Sequence, residues 1–420
     1  MSVRREKLKN GLTILTENLP HLRSVALSVW IRRGSRHEAA ERSGISHFLE
    51  HLLFKGTRKR SARQLALDID AIGGQMDAFT SREYVGFYVK ALDSHLPEAL
   101  DLLSEIVLLP SFPGPEIDRE RNVICEEIAM TEDTPGDLVH DLFIENFWKN
   151  HPLGRSISGT KKIIRSLGRA TLLRYFRKVY VPENMVVAAT GHLDHRQIVD
   201  MVAERFSALK GTADPPDIQA PTPCRLKRVR HKANLEQTHI CIGTISPPVT
   251  SSRRFAAVVL STILGGNLSS RLFQKIREKH GLAYNVYSSL NMHQDAGMLL
   301  IYAATGKATA HRVVDMIAEE CGSFRKDSVT ANELKHAKEN IKGSLVLSLE
   351  SSSSRMMQMA QQEIYFQHQY PIGDILAALD RVTQDDIGAL AREIFDERYL
   401  SLALIGDLGK DRSFSLNMNL

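Results

Sequence analysis

Residues 43–57 read SGISHFLEHLLFKGT, and how this stretch must fold decides how the rest of the chain is read. Ser43 or Ser46 can cap the start of a helix, and Gly56 can end it after Lys55. At helical spacing His47, Glu50, His51 and Phe54 share one face. Ile45, Phe48, Leu49, Leu52 and Leu53 take up nearly all the remaining surface. The helix is therefore expected to be buried almost all round, with two imidazoles and a carboxylate turned inward. Buried polar groups need partners. A metal ion satisfies both imidazoles at once, because residues four apart on a helix can reach one ion. The competing reading is a pair of core histidines satisfied by backbone and carboxylate groups. With 16 His in 420 residues, an HxxEH pattern arises by chance roughly 0.04 times per chain.

A zinc site needs a third protein ligand and leaves its fourth position for water. Residues 116–131, EIDRERNVICEEIAMT, have the pattern of a helix. With Glu120 placed at the origin of a helical wheel, Ile124, Ile117 and Ile128 fall on one side and Val123 and Glu127 on the other. Glu120 and Glu127 thus lie within the apolar arc, and Glu126 falls outside it. A carboxylate on a core-facing stripe needs a cation or a donor. Glu127 is the candidate third ligand, and Glu120, two turns earlier, is placed to orient a ligand histidine. Glu50, between the two histidines and on their face, is the candidate general base for activating water. GxSxG, Walker A and GxGxxG motifs are absent.

Working outward, the chain carries a weak internal repeat. In the first half, strands at Ser24–Arg33, Gln75–Thr80, Glu83–Ala91 and Met185–Thr190 end in a Gly-His-Leu-Asp turn at Gly191. In the second, strands at Gln237–Ser246, Leu282–Leu290, Met298–Ala304 and Leu400–Ile405 end in Gly-Asp-Leu-Gly, Gly406 to Gly409. Matching order and spacing predict two homologous domains, residues 1–210 and 225–420, joined by a proline-rich linker at 211–224. Runs of strands mixed with runs of helices predict an α+β class, each domain a largely antiparallel sheet packed with helices.

The length fits two or three domains. With 43% hydrophobic and 25% charged residues, the composition is that of a globular protein and excludes a disordered or collagen-like chain. The net charge is +5, from 54 basic and 49 acidic residues, which is weak support for nucleic-acid or membrane binding. The basic run RLKRVRHK, residues 225–232, fits a solvated edge strand better than a nucleic-acid patch. Four scattered cysteines, no secretory signal and no long apolar run point to a cytoplasmic protein without a membrane span.

At these residues the sequence resembles the pitrilysin (M16) family of zinc metallopeptidases, most of all the branch containing mitochondrial processing peptidase and its bacterial relatives. The likeness rests on the inverted HxxEH motif, on Glu127 seventy-six positions after His51 with Glu120 seven before it, on FKGT at Phe54–Thr57, and on GSRHE at Gly34–Glu38. It covers essentially the whole chain. It implies the mitochondrial processing peptidase-like metallohydrolase fold, zinc held by His47, His51 and Glu127, one ion per chain, and Glu50 as base.

Residues 269–288, SSRLFQKIREKHGLAYNVYS, are similar to the family's Arg/Tyr pair, here Arg277 and Tyr284, which the resemblance implies bind substrate carbonyls and the oxyanion. Residues 73–89 resemble the family's substrate-pairing edge strand, which implies contacts at Asp77, Ala78 and Phe79. Asp77 stands where relatives often carry Asn. The position in the repeat that matches the HxxEH helix, residues 253–266, has no ligand, so the copies have diverged. The expectation is a zinc endopeptidase acting on unfolded or extended peptides in a clamshell chamber, as a homodimer. The alternative is a non-catalytic scaffold or regulatory subunit, although both constellations are intact.

Overall fold

The computed structural model describes residues 3–215, 219–327, 329–408 and 413–416. Residues 216–218 of the expected linker and Gly409 of the second turn lie outside the described residues. The first sheet holds β1 (Arg4–Lys7), β2 (Thr13–Asn18), β3 (Ser24–Ile31), β4 (Gln75–Thr80), β5 (Val85–Leu92) and β6 (Met185–Gly191), in the order β1-β2-β6-β3-β5-β4. The second holds β7 (Lys227–His231), β8 (Gln237–Ser246), β9 (Ala283–Met292), β10 (Gly297–Gly306) and β11 (Ser401–Gly406), in the order β7-β11-β8-β10-β9. Leaving β1 aside, both sheets run first strand, last, second, fourth, third. The repeat read from the sequence is therefore a repeat of topology. In each sheet the first and last strands of that set pair in parallel, β2 with β6 and β7 with β11, and the other pairs are antiparallel.

Both faces of the first sheet are apolar. On β3, Val25, Leu27, Val29 and Ile31 join one core, while Ala26 and Trp30 join another on the opposite face, as the two-residue period of a strand requires. The first core is closed by α1 (Ile45–Leu53), α3 (Leu96–Leu108) and α4 (Gly114–Asp133), with α2 (Ala62–Ala71) beside them. The opposite face is covered by Met356, Met359 and Ala360 of the helix Ser352–Phe366. Glu363 of that helix has a fully buried side chain, and the guanidinium groups of Arg5 and Arg32 pair with it at 3.0 and 3.1 Å. A carboxylate without water needs such partners.

The compact units are accordingly not continuous in sequence. The first comprises residues 1–129, 155–218 and 347–370, and the second 130–154, 219–346 and 371–420. The halves 1–210 and 225–420 contain the two sheets, but each unit also takes a helical segment from the other half. In the second unit that segment is α5 (Pro135–Phe147), whose Val139, Phe143 and Phe147 pack on Cys241, Met298, Leu300 and Ile405. The Phe143 ring sits so close to β8 that a Cβ on Gly243 would lie 2.7 Å from it. Of the linker, the Cys224 N–H donates to the Phe147 carbonyl at 2.9 Å, and His151 Nε2 lies 2.9 Å from the Gln219 carbonyl.

In the second unit Arg271 grips Glu333 with two bonds of 2.6 and 2.9 Å, and Thr330 donates its N–H and hydroxyl to the same carboxylate. Arg271 first, then the Thr330 donors, hold the Glu333 carboxyl down to about 2, against the opposing effect of partial burial. A depressed carboxyl pKa adds stability above its unfolded value of about 4.3, and that stability is lost as pH falls through the folded value. Glu333→Gln should therefore lower the melting temperature at pH 7. The gap to the parent should close between about pH 5 and pH 2, measured by circular dichroism melts across that range. A gap independent of pH would remove the ion pair as its cause.

Candidate functional site

The helix α1 begins without the serine cap expected from the sequence. Its cap position is Gly44, at φ 93°, where a Cβ would lie 2.6 Å from the Ser158 carbonyl oxygen. The two carboxylate oxygens of Glu38 accept from the backbone N–H of Gly44 and Ser46, at 2.7 and 2.8 Å. Ser46 instead meets the Tyr175 hydroxyl at 3.0 Å. This carboxylate, six residues before the cap position, does better than a serine because it faces the positive end of the helix and satisfies two orphan donors at once. Burial nonetheless pushes the Glu38 carboxyl up to about 7, with the Ser46 and Gly44 donors and Arg155 opposing it.

Phe48, Leu49, Leu52 and Leu53 have no exposure. Their burial fixes the rotation of α1 and turns His47, Glu50 and His51 to one side. The rings of His47 and His51 meet edge to face, with centroids 4.7 Å apart. Glu127 comes to them from α4: its Oε2 lies 3.8 Å from His47 Nε2 and 3.6 Å from His51 Nε2. One donor atom from each of the three falls within 4.8 Å of the others, and no other such group of His, Cys, Asp or Glu occurs among the described residues.

On α4 the buried residues are Ile117, Glu120, Ile124, Cys125 and Ile128. Val123 is 43% exposed, so the apolar arc does not extend to it as the wheel suggested. The arc is centred further toward Cys125, which leaves Glu127 on its rim, half-buried and able to face an ion. Glu120 lies inside the arc. Its Oε2 is 3.1 Å from His51 Nδ1, and its Oε1 is 2.9 Å from Lys55 Nζ. A carboxylate can only accept, so the His51 proton sits on Nδ1 and the Nε2 lone pair faces Glu127. Lys55 was not singled out from the sequence. It lies four residues after His51, just past the end of α1.

Burial first, then the neighbouring His51, pushes His47 down to about 4. Its imidazole is neutral near pH 7 and keeps a lone pair for a metal. Among the described residues neither Nε2 takes a hydrogen bond, and His47 Nδ1 is buried without a partner. Two imidazoles and a carboxylate, too far apart to hydrogen-bond with one another, are the kind of donor set that a catalytic zinc site uses, and together they could hold a metal ion.

Glu50 receives a hydrogen bond on Oε2 from the Thr80 hydroxyl, a partner the sequence did not reveal. Burial raises its pKa, Thr80 and His51 oppose this, and Asp77 and Glu127 add to it. Thr80 ends β4, which is one of the two edge strands of the first sheet. On that strand Asp77 is exposed, and Ala78 and Phe79 are half-buried. Asp77 Oδ1 accepts from the Ala78 N–H at 2.8 Å, and Oδ2 accepts from the Tyr88 hydroxyl at 3.1 Å.

Arg277 and Tyr284 belong to the second unit. Arg277 lies on the helical turn Phe273–Lys279, with its guanidinium 4.7 Å from the Phe273 ring centre and 4.9 Å from that of Tyr284. Tyr284, near the start of the edge strand β9, is 78% exposed. The structure thus brings the pair into contact and presents it to solvent. The helix Arg254–Ser261, which matches α1 in the repeat, carries no metal-ligating side chain.

Residues 13–161 match the family described as "Insulinase (Peptidase family M16)", and residues 166–341 match "Peptidase M16 inactive domain". An "uncharacterized zinc protease" of Bacillus subtilis is 40% identical over 407 residues, which cover 97% of this chain and 99% of that one. One from Streptomyces coelicolor is 40% identical over 422 residues, covering 99% and 91%. Among solved structures, a protease from Helicobacter pylori superposes with a TM-score of 0.89 at 23% identity, over 96% of this chain and 99% of that one. A peptidase M16 inactive domain from Pseudomonas fluorescens gives 0.91 at 20%, over 97% and 98%.

The capping arrangement gives a direct test. Glu38→Ala leaves the Gly44 and Ser46 N–H groups without their acceptor and should cost about 1–3 kcal/mol. Equilibrium urea unfolding at pH 8 measures it, and an unchanged midpoint would show that other groups satisfy the helix start.

Proposed function

The chain belongs to peptidase family M16, and on that premise we propose that it is a zinc-dependent endopeptidase acting on unfolded or extended peptides, of the branch that contains mitochondrial processing peptidase and its bacterial relatives. The observation that carries this reading is the convergence within 4.8 Å of His47 and His51, on a helix that also presents Glu50, with Glu127 from α4. His47, His51 and Glu127 hold one zinc ion per chain, and Glu120 fixes the ring of His51. Bound zinc supplies Lewis acidity, which polarises a peptide carbonyl and lowers the pKa of water to about 7.

The protein's own groups supply the rest. Thr80 holds Glu50 Oε2, which leaves Oε1 to take the proton of the attacking water and deliver it to the leaving amine nitrogen. The edge of β4 aligns an extended peptide by strand addition. A peptide carbonyl takes over the Ala78 N–H from Asp77, while Ala78 and Phe79 line the approach. Arg277 and Tyr284 donate to the developing oxyanion. One chain carries both the trio and the pair, in different compact units. The reading therefore includes a homodimer whose chains enclose a chamber, each pair serving the partner's zinc site. Four free cysteines support a cytoplasmic setting. No helix among the described residues is long and apolar enough to cross a membrane.

Glu50→Gln should retain zinc and lose at least about 100-fold in peptide hydrolysis, read by mass spectrometry of a mixed peptide library with and without chelator. Substantial remaining turnover would remove Glu50 from the base role. His47→Ala should drop the zinc content far below one per chain by elemental analysis, and full occupancy would refute that ligand.

A further inference from the structure

The basic run Arg225–Lys232 has no part in the chemistry above. It forms β7 and its flanks, at one edge of the second sheet, with β11 on a single side. The Leu402 N–H donates to the Leu226 carbonyl, and the Lys232 N–H donates to the Gly406 carbonyl. In a parallel pair alternate residues bond to opposite sides. The even-numbered residues from Leu226 to Lys232 therefore serve β11, and the N–H and C=O groups of Lys227, Val229 and His231 point outward. Beside this edge lies an open cleft of about 570 Å³, walled by β7 and by Leu142, Glu145 and Asn146 of α5. The Arg228 Nε donates to Asn146 Oδ1 at 2.9 Å, so the arginines of β7 lean over the α5 side.

Arg225, Lys227, Arg228 and Arg230 are all exposed. Among the described residues none of the four forms an ion pair, whereas Lys232 lies 3.9 Å from Asp133. Glu145 is the one carboxylate lining the cleft. Cations on an edge strand keep like edges apart. Two copies of β7 set side by side would bring those cations face to face, so a second copy of this edge does not fit. A strand bearing the opposite charge meets both an open ladder and a complementary field. Nucleic acid would find the charge, but no Phe, Tyr or Trp lines the cleft for bases to stack on.

We propose that β7 is a docking edge for an extended, acidic segment of a partner protein, which joins the second sheet as a further strand. Its backbone bonds to Lys227, Val229 and His231, and its carboxylates reach Arg228 and Arg230. The test is fluorescence anisotropy of the full chain with a short labelled peptide alternating Glu and Val, its Lys counterpart, and a single-stranded oligonucleotide. The Glu peptide should bind and weaken as salt is added, and the Lys peptide should not bind. The double variant Arg228→Glu, Arg230→Glu should bind the Glu peptide about tenfold more weakly or worse. Val229→Pro removes an outward donor and no bond to β11, so it should also weaken the peptide, by about fivefold. Circular dichroism melts establish that both variants are folded. Absence of binding by the parent chain would overturn the proposal. So would a folded Val229→Pro variant that binds the peptide as well as the parent, or an oligonucleotide that binds more tightly than the Glu peptide.

Discussion

The carboxylate of Glu38, accepting from the backbone N–H of Gly44 and Ser46, fixes where α1 starts. The placement of His47, Glu50 and His51 follows from that start. A helix sunk in apolar side chains on three sides has one angular setting in which those side chains are all buried. Once the first turn is pinned, the two imidazoles and Glu50 have one direction left. Moving the start by a residue would rotate the face by about 100° and bury the histidines against leucine. GSRHE, which resembled family sequence without an evident role, is here the segment that pins the helix.

The two copies of the fold show what the scaffold requires and what it leaves free. Both keep the same strand order and one parallel pair, and both place a helix after the second strand of the set. Only the first copy puts histidines on that helix. In the second the helix Arg254–Ser261 is apolar packing, and the polar groups that remain accessible, Arg277 and Tyr284, lie on and beside the edge strand. The architecture is thus independent of the metal. Five strands and a covering helix bury enough surface in either copy, and chemistry is added where a side chain can be spared from packing.

Much of this was legible in the sequence because local periodicity carries it. The HxxEH spacing, the helix from Glu116 onward and the period of the strands each depend on a few neighbouring residues. The features that were not legible depend on residues distant in the chain. Ser43 and Ser46 look like caps, and only the folded chain shows that Glu38 returns to take the role. The wheel placed Val123 inside the apolar arc, but in the folded chain the buried arc of α4 runs toward Cys125 and leaves Val123 exposed. Thr80 reaches Glu50 from thirty residues away. Lys55 lies only four residues after His51, but charge alone did not distinguish it. The repeat predicted two halves, and those halves contain the sheets. It gave no sign that α5 and the helix Ser352–Phe366 would each cover a sheet built from the other half, because an amphipathic helix does not record which apolar face it covers.

That exchange bears on how the protein is made. The second face of the first sheet, with Leu15, Ala26, Trp30, Val186 and Ala188, stays open until Met356, Met359 and Ala360 arrive. On a ribosome adding roughly 5–20 residues per second, the interval between the end of the first half and that helix is on the order of ten seconds. For that time a finished sheet with an uncovered apolar face protrudes from the nascent chain, a surface that holding chaperones would bind. A helix made late in synthesis closes the first domain to be laid down, so the half of the molecule with α1 reaches its final packing only after most of the chain has been translated.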